Sequence, residues 1–187
     1  MIKAGSIDKG MYILLKDEPH LVTEREFVKP GKGQAFVRLK VKNVMTGLVQ
    51  RPVVKSHESV EEIVVEDHPS QYLYADDFAY HFMDTDTYEQ FEIPLTGFEE
   101  KKDFMKEGDT YDIIMWESKP LDIKLPLKET YTVSEAEDAV RGDTVTGATK
   151  TVSCETGLQV KVPIFIKAGD KILVNTETGE YVERVNT

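Results

Sequence analysis

Lys32 stands between Gly31 and Gly33 in the run FVKPGKGQAFV (residues 27–37), a setting in which a side chain could do chemistry. Two apolar runs flank Lys29-Pro30-Gly31-Lys32-Gly33-Gln34, a composition that predicts a hairpin tip. A primary amine on a flexible stem is a compact cation suited to phosphates, and a nucleophile that a modifying enzyme can acylate or alkylate. Its glycine neighbours add no bulk and permit left-handed backbone, so the tip can enter a narrow crevice. A chain with a formal net charge of −11 is holding one cation out on a bare finger.

No other constellation reads as catalytic or metal-binding, so neither a catalytic residue, a metal nor a cofactor is expected. His20, His57, His68 and His81 lack ligand spacing and are expected on the surface, and the lone Cys154 cannot form a zinc knuckle. Gly31-Lys32-Gly33 begins a G-x-G pattern, but Phe36 stands at its third glycine position and a strand follows, leaving no helix N-terminus for a pyrophosphate. Gly142-Asp143-Thr144-Val145-Thr146-Gly147 has the glycine spacing of a phosphate loop, yet Ala148-Thr149 replace its Lys-Ser/Thr, and Asp143 would place a negative charge in the cradle. The carboxylates of residues 65–127 read as a solvated acidic face.

Charge is unevenly spread. Residues 1–64 hold 11 basic against 8 acidic residues, residues 65–127 hold 5 against 16, and residues 128–187 hold 7 against 10. Between positions 27 and 57 there are seven basic residues (Lys29, Lys32, Arg38, Lys40, Lys42, Arg51 and Lys55) and no acid. Such polarity implies a partner met end-on, and basic residues interleaved with Phe27 and Phe36 suggest nucleic acid, against the alternative of wet strand faces.

Strand signals dominate the elements that must hold the finger: YILLK (12–16), FVRLKVKN (36–43), EEIVVED (61–67), YDIIMWE (111–117), LDIKLPL (121–127), LQVKVPIFI (158–166) and KILVNT (171–176). In FVRLKVKN the alternation predicts Arg38, Lys40 and Lys42 along one face. Short helices are expected in TGFEEKKDFMK (96–106) and SEAEDAV (134–140). FMKEGDTYDII (104–114) matches FIKAGDKILVN (165–175) at an offset of 61 residues, which suits a repeated small barrel. The reading is an all-β chain of three units, 1–64, 65–127 and 128–187, with Pro126 marking the second boundary. No apolar run approaches the roughly 20 residues needed to cross a bilayer, the N-terminus lacks a signal-peptide core, and one cysteine fits a reducing compartment. A cytoplasmic monomer without membrane contact is expected.

FVKPGKGQAFVRLKVKN with TGLVQRPVV behind it, HFMDTDTYEQ (81–90) and GDTVTGATKTVSCETGLQVKVPIFIKAGDKILVNTETGEYVERV (142–185) closely resemble the three domains of the bacterial elongation factor P family, in order and over essentially the whole chain. The resemblance implies a KOW/SH3-like barrel carrying the hairpin, then two OB-fold barrels, in an L-shaped, tRNA-like arrangement. It also implies binding to ribosomal RNA and proteins between the exit and peptidyl sites. There such factors position the CCA end of peptidyl-tRNA, stimulating the ribosomal peptidyl transferase at consecutive prolines without being enzymes themselves. Lys32 takes the tip position, which in many members a lysine-modifying enzyme extends. Lysine here leaves acylation, alkylation or an unmodified amine open. Pro30, Gly31, Gly33 and Gln34 shape the tip, and Lys29, Lys40, Lys42 and Arg51 are candidates for RNA contacts. By the same likeness Gly142, Asp143 and Thr144 belong to a loop near the exit-site codon; separately, the acidic middle domain is expected to mimic the negative charge of tRNA toward basic ribosomal proteins. The competing readings are a single-stranded nucleic-acid-binding OB-fold protein, which a net charge of −11 disfavours, and a divergent paralogue of the same family.

Overall fold

The computed structural model describes residues 1–137 and 147–185, which form three antiparallel sheets joined by short links. Seven strands make the first sheet: β1 (Ile2–Lys3), β2 (Tyr12–Leu15), β3 (Glu18–Val28), β4 (Phe36–Asn43), β5 (Val49–Gln50), β6 (Val53–Lys55) and β7 (Ser59–Ile63). Its order is β1-β7-β2-β3-β4-β5, with β6 also paired to β4. The second sheet holds β8 (Glu66–Ala75), β9 (Ala79–Asp84), β10 (Gln90–Pro94), β11 (Thr110–Trp116) and β12 (Lys119–Lys124). The third holds β13 (Lys128–Ala136), β14 (Thr149–Cys154), β15 (Gln159–Pro163), β16 (Lys171–Asn175) and β17 (Tyr181–Val185). The all-β expectation is met.

Alternation explains why these segments pair and which face they bury. In β4 Val37, Leu39, Val41 and Asn43 are buried, while Arg38 is exposed and Lys40 and Lys42 are half-buried on the opposite face. Each sheet curls around its own inward side chains. They are Ile7, Ile13, Val22 and Val37 in the first, Tyr80, Phe82, Ile113 and Ile123 in the second, and Tyr131, Val162, Ile166 and Ile172 in the third, all buried. Burying one such aliphatic side chain contributes about 1.5–3 kcal/mol, so each barrel has its own driving force.

The matching segments at 104–114 and 165–175 hold the same structure. Gly108 N–H donates to the Tyr72 carbonyl at 2.7 Å and Gly169 N–H to that of Val133 at 2.8 Å. In return Tyr72 N–H donates to the Asp109 carbonyl at 2.8 Å, and Val133 N–H to that of Asp170 at 2.9 Å. Even the partners keep the sequence offset. The second and third sheets also share one strand path, β10-β9-β8-β11-β12 and β15-β14-β13-β16-β17.

Several expected elements differ. EEIVVED is not one strand: it contains the end of β7, a link at Val64-Val65 and the start of β8, so its apolar run serves two sheets. SEAEDAV does not begin a helix, because Ser134–Ala136 continue β13, with Glu135 and Ala136 paired to Ser153 and Val152; its last residues lie outside the described ones. TGFEEKKDFMK holds a six-residue 3₁₀ helix, Glu99–Phe104, with no side-chain cap. Too short to repay α-helix nucleation on its own, it is held by its neighbours. His20 is buried rather than on the surface, its Nδ1 2.8 Å from the Glu18 carbonyl, because β3 turns it inward opposite Asn43.

That 3₁₀ segment touches all three sheets. Tyr12, Val44 and Ile63 of the first sheet pack in the same apolar cluster as Phe98 and Ile123. Tyr12 donates to the Asp122 carboxylate at 3.3 Å, and burial first, then Asp122, pushes its phenol well above the ordinary tyrosine range. Toward the third sheet the fully buried Tyr131 donates its hydroxyl to the Phe104 carbonyl at 2.7 Å, and Thr156 Oγ1 donates to the Asp103 carbonyl at 2.5 Å. Lys106 Nζ reaches Glu129 at 3.2 Å and the Thr130 carbonyl. Removing the Tyr131 hydroxyl leaves a carbonyl without its donor, a loss of about 1–3 kcal/mol. Tyr131→Phe is therefore expected to lower the thermal midpoint by roughly 2–10 °C in a melting experiment. An unchanged midpoint would show that this junction is not held by that bond.

Candidate functional site

The finger is the ribbon of β3 and β4, paired from His20–Asn43 out to Val28–Phe36 and closed by the loop 29–35. Glu24, Arg25, Glu26 and Phe27 are exposed one after another, so both faces of β3 are wet there, as befits a ribbon running out beyond its core. Its base is braced from two sides. Arg25 donates to the Gly5 carbonyl at 2.8 Å, and Ser56 N–H donates to the Ala35 carbonyl at 2.9 Å. Gly5 leaves room for the Phe27 ring, since a Cβ there would lie 3.3 Å from the Ser56 carbonyl oxygen and 3.7 Å from Phe27 Cε2.

At the tip Gly31, Lys32, Gly33 and Gln34 are all exposed, Lys29 is exposed and Pro30 half-buried. Of the two glycines only Gly33 needs to be one for its backbone, at φ +109. A Cβ on Gly31 would meet nothing within 4 Å, so its smallness is felt only by whatever the tip enters. Among the described residues Lys32 has no ion pair or hydrogen bond.

The basic strip changes meaning once β3 is seen beside it. Glu24 and Glu26 lie opposite Lys40 and Arg38 in the register, with Lys40 2.5 Å from Glu24 and Arg38 3.3 Å from Glu26. The Lys40 hydrogen bond holds the Glu24 carboxyl below its usual range. Lys42 reaches Glu100 of the 3₁₀ helix at 3.7 Å. Two candidate RNA contacts, Lys40 and Lys42, are thus engaged within the chain, whereas Lys29 and Arg51 are exposed and unpaired among the described residues. A window opening at residue 27 missed the neutralising acids because they sit just ahead of it, on the partner strand. Cation surplus therefore begins at the tip. Gly142, Asp143 and Thr144 lie outside the described residues. Among the described residues no group of three His, Cys, Asp or Glu could hold a metal, and no helix is long and apolar enough to cross a membrane.

Known proteins agree with this geometry. The model of the elongation factor P KOW-like domain matches residues 3–60, that of the elongation factor P OB domain residues 65–123, and that of the elongation factor P C-terminal region residues 130–184. The chain is 49% identical to elongation factor P of Treponema denticola, over 100% of both chains. It is 50% identical to that of Borrelia duttonii, over 98% of this chain and 97% of the relative. Among solved structures, the eukaryotic translation initiation factor 5A from Methanococcus jannaschii covers 66% of this chain and 90% of its own, at 22% identity and a TM-score of 0.53, a likeness of fold. The sheets described above are thus a KOW-like barrel and OB barrels. Gly33→Ala, forcing a Cβ into left-handed backbone, is expected to shift amide resonances throughout 29–35, while Gly31→Ala leaves them in place. Equal spectra for the two variants would refute this division of roles.

Proposed function

The chain belongs to the elongation factor P family of translation elongation factors, and from that premise we propose that Lys32 is its working end. In this reading the factor binds the ribosome between the exit and peptidyl sites, and the Lys32 tip meets the CCA end of peptidyl-tRNA. Peptide-bond formation at consecutive prolines is thereby promoted. The observation that carries it is the exposed Lys32, unpaired among the described residues, on a glycine-flanked loop at the end of a ribbon whose other cations are largely paired.

The chemistry asked of the factor is positional. Proline is a poor partner in peptide transfer, and its ester can rest out of reactive geometry. A cation on a slender support, set against the RNA phosphates beside that ester, narrows its freedom and restores alignment. Well-oriented reactants gain up to ~7–11 kcal/mol, and only a small share is required here because other residues react unaided. No proton or bond needs to pass through the factor, so the ribosome remains the catalyst. The unhindered ε-amine is also open to a lysine-modifying enzyme, and an extension would lengthen its reach.

Lys32→Ala is expected to melt like the parent chain yet to lose relief of stalling on a Pro-Pro-Pro reporter in a purified translation system. Full parental synthesis of that reporter by the variant would sink the role of the tip. Intact-mass measurement of the protein from its own cells reads the modification directly: added mass on the tip peptide is the expected result.

A further inference from the structure

Arg38 and Lys40 spend their charge across the ribbon, on Glu26 and Glu24. Arg25 sends its guanidinium out of it. One terminal nitrogen donates to the Gly5 carbonyl at 2.8 Å, and the other lies 3.8 Å from the Asp8 carboxylate. The guanidinium carbon stands 5.8 Å from the centre of the Phe27 ring, two residues on and so on the same face of the strand. Gly5 and Asp8 both come from the N-terminal segment, where Ala4–Ser6 form a 3₁₀ turn beside β4 and β6.

Gly5 completes a circuit. Its N–H donates to the Ser56 carbonyl at 3.0 Å, and the Ser56 N–H donates to the Ala35 carbonyl at 2.9 Å. Ala35 ends the tip loop just ahead of β4, whereas Arg25 lies on β3. The path Ala35–Ser56–Gly5–Arg25 therefore runs from one strand of the ribbon, over the barrel, to the other, and the ladder of β3 and β4 closes the ring. This collar is anchored: Ala4 and Ile7 are fully buried, and the Ala4 N–H donates to the Glu58 carbonyl at 2.8 Å. The one link in it made by a side chain is that of Arg25. A Cβ on Gly5 would press on the Ser56 carbonyl oxygen at 3.3 Å, so the backbone links leave no room for a larger residue.

We propose that Arg25 is a positioning residue: by closing this collar it fixes the direction in which the ribbon carries Lys32. The collar grips the base of a lever. From Arg25 to Val28 the strand rises roughly 10 Å, so a tilt of about 10° at the collar moves the end of the ladder by roughly 2 Å, and the tip by more. Misplacement by about 1 Å can cost up to ~100-fold where a reaction depends on alignment. An exposed ion pair contributes little to folding, so direction is what this arginine has to offer. That the aim of the tip matters rests on the function proposed above for Lys32; that Arg25 sets the aim does not.

Arg25→Ala opens the collar and is expected to melt within about 2–4 °C of the parent. In the full chain, residual dipolar couplings of the parent's amides at 24–28 and 36–40 are expected to fit the orientation frame of β2 and β7, and those of Arg25→Ala to depart from it. In a purified translation system the maximal synthesis of a Pro-Pro-Pro reporter is expected to fall roughly tenfold, while the factor concentration giving half the effect stays within about twofold. Gly5→Ala, which touches no charge, is expected to shift the couplings and lower the maximum in the same way. Adding Arg25→Ala to Lys32→Ala is expected to change nothing further, because the arginine acts through the amine. Unchanged couplings in Arg25→Ala would overturn the proposal. So would a half-effect concentration that rises while the maximum is kept, the mark of a lost phosphate contact, or a full maximum in Gly5→Ala despite shifted couplings. If Lys32→Ala itself leaves the reporter untouched, the role of the tip falls, and the couplings still decide whether Arg25 aims the ribbon.

Discussion

The 3₁₀ segment Glu99–Phe104 is the point through which one barrel feels the others. Gly97, just ahead of it, faces Gly47; Glu100 meets Lys42; Asp103 and Phe104 give their carbonyls to Thr156 and Tyr131. Those bonds differ in kind. The first junction is mostly apolar contact, which resists separation more than rotation, joined by the Tyr12 hydrogen bond to Asp122 and by the Lys42–Glu100 pair, which contributes about 0–1 kcal/mol. The second junction is made of directed bonds to backbone carbonyls, which fix distance and angle together. The last barrel is thus tied to the middle one by more directed bonds than the first is.

Charge follows the same division. The acidic middle barrel and the basic strand β4 look like opposite poles in sequence, yet Glu24 and Glu26 neutralise most of that strand before it reaches the loop. Had the ribbon been basic along its length, it would adhere to RNA wherever RNA is found, with the steep salt dependence such binding carries. Pairing its shaft leaves the cation surplus at the tip, so electrostatic attraction rewards insertion of the end over lateral sticking. The net −11 of the whole chain adds to that discrimination.

Much of this was legible in the residues. Alternation in FVRLKVKN assigned the buried face of β4 correctly, and the Gly-Asp repeat located turns whose hydrogen bonds coincide down to the acceptor residue. Both succeed because they depend on neighbours in the chain. What failed depends on partners across it. The charge balance of β4 is set by β3, Ser134–Ala136 are drawn into β13 by Val152 and Ser153, and EEIVVED is divided because two sheets each claim an end.

The positioning role proposed for the tip calls for stiffness up to its point of contact and compliance only there. The ribbon meets that need by where its bonds stop. Arg25 on Gly5 and Ser56 on Ala35 hold the shaft to the barrel, and the ladder of β3 and β4 runs unbroken from Glu24–Lys40 to Val28–Phe36. Beyond it lie seven residues, with open space beside Gly31 and only Pro30 near Gly33. Side-chain freedom costs about 1.5–2 kcal/mol to freeze in a lysine, so an amine held rigid in advance would have to match its target in every detail. An amine left free on a short loop can settle against phosphates while the barrel behind it decides where that search takes place.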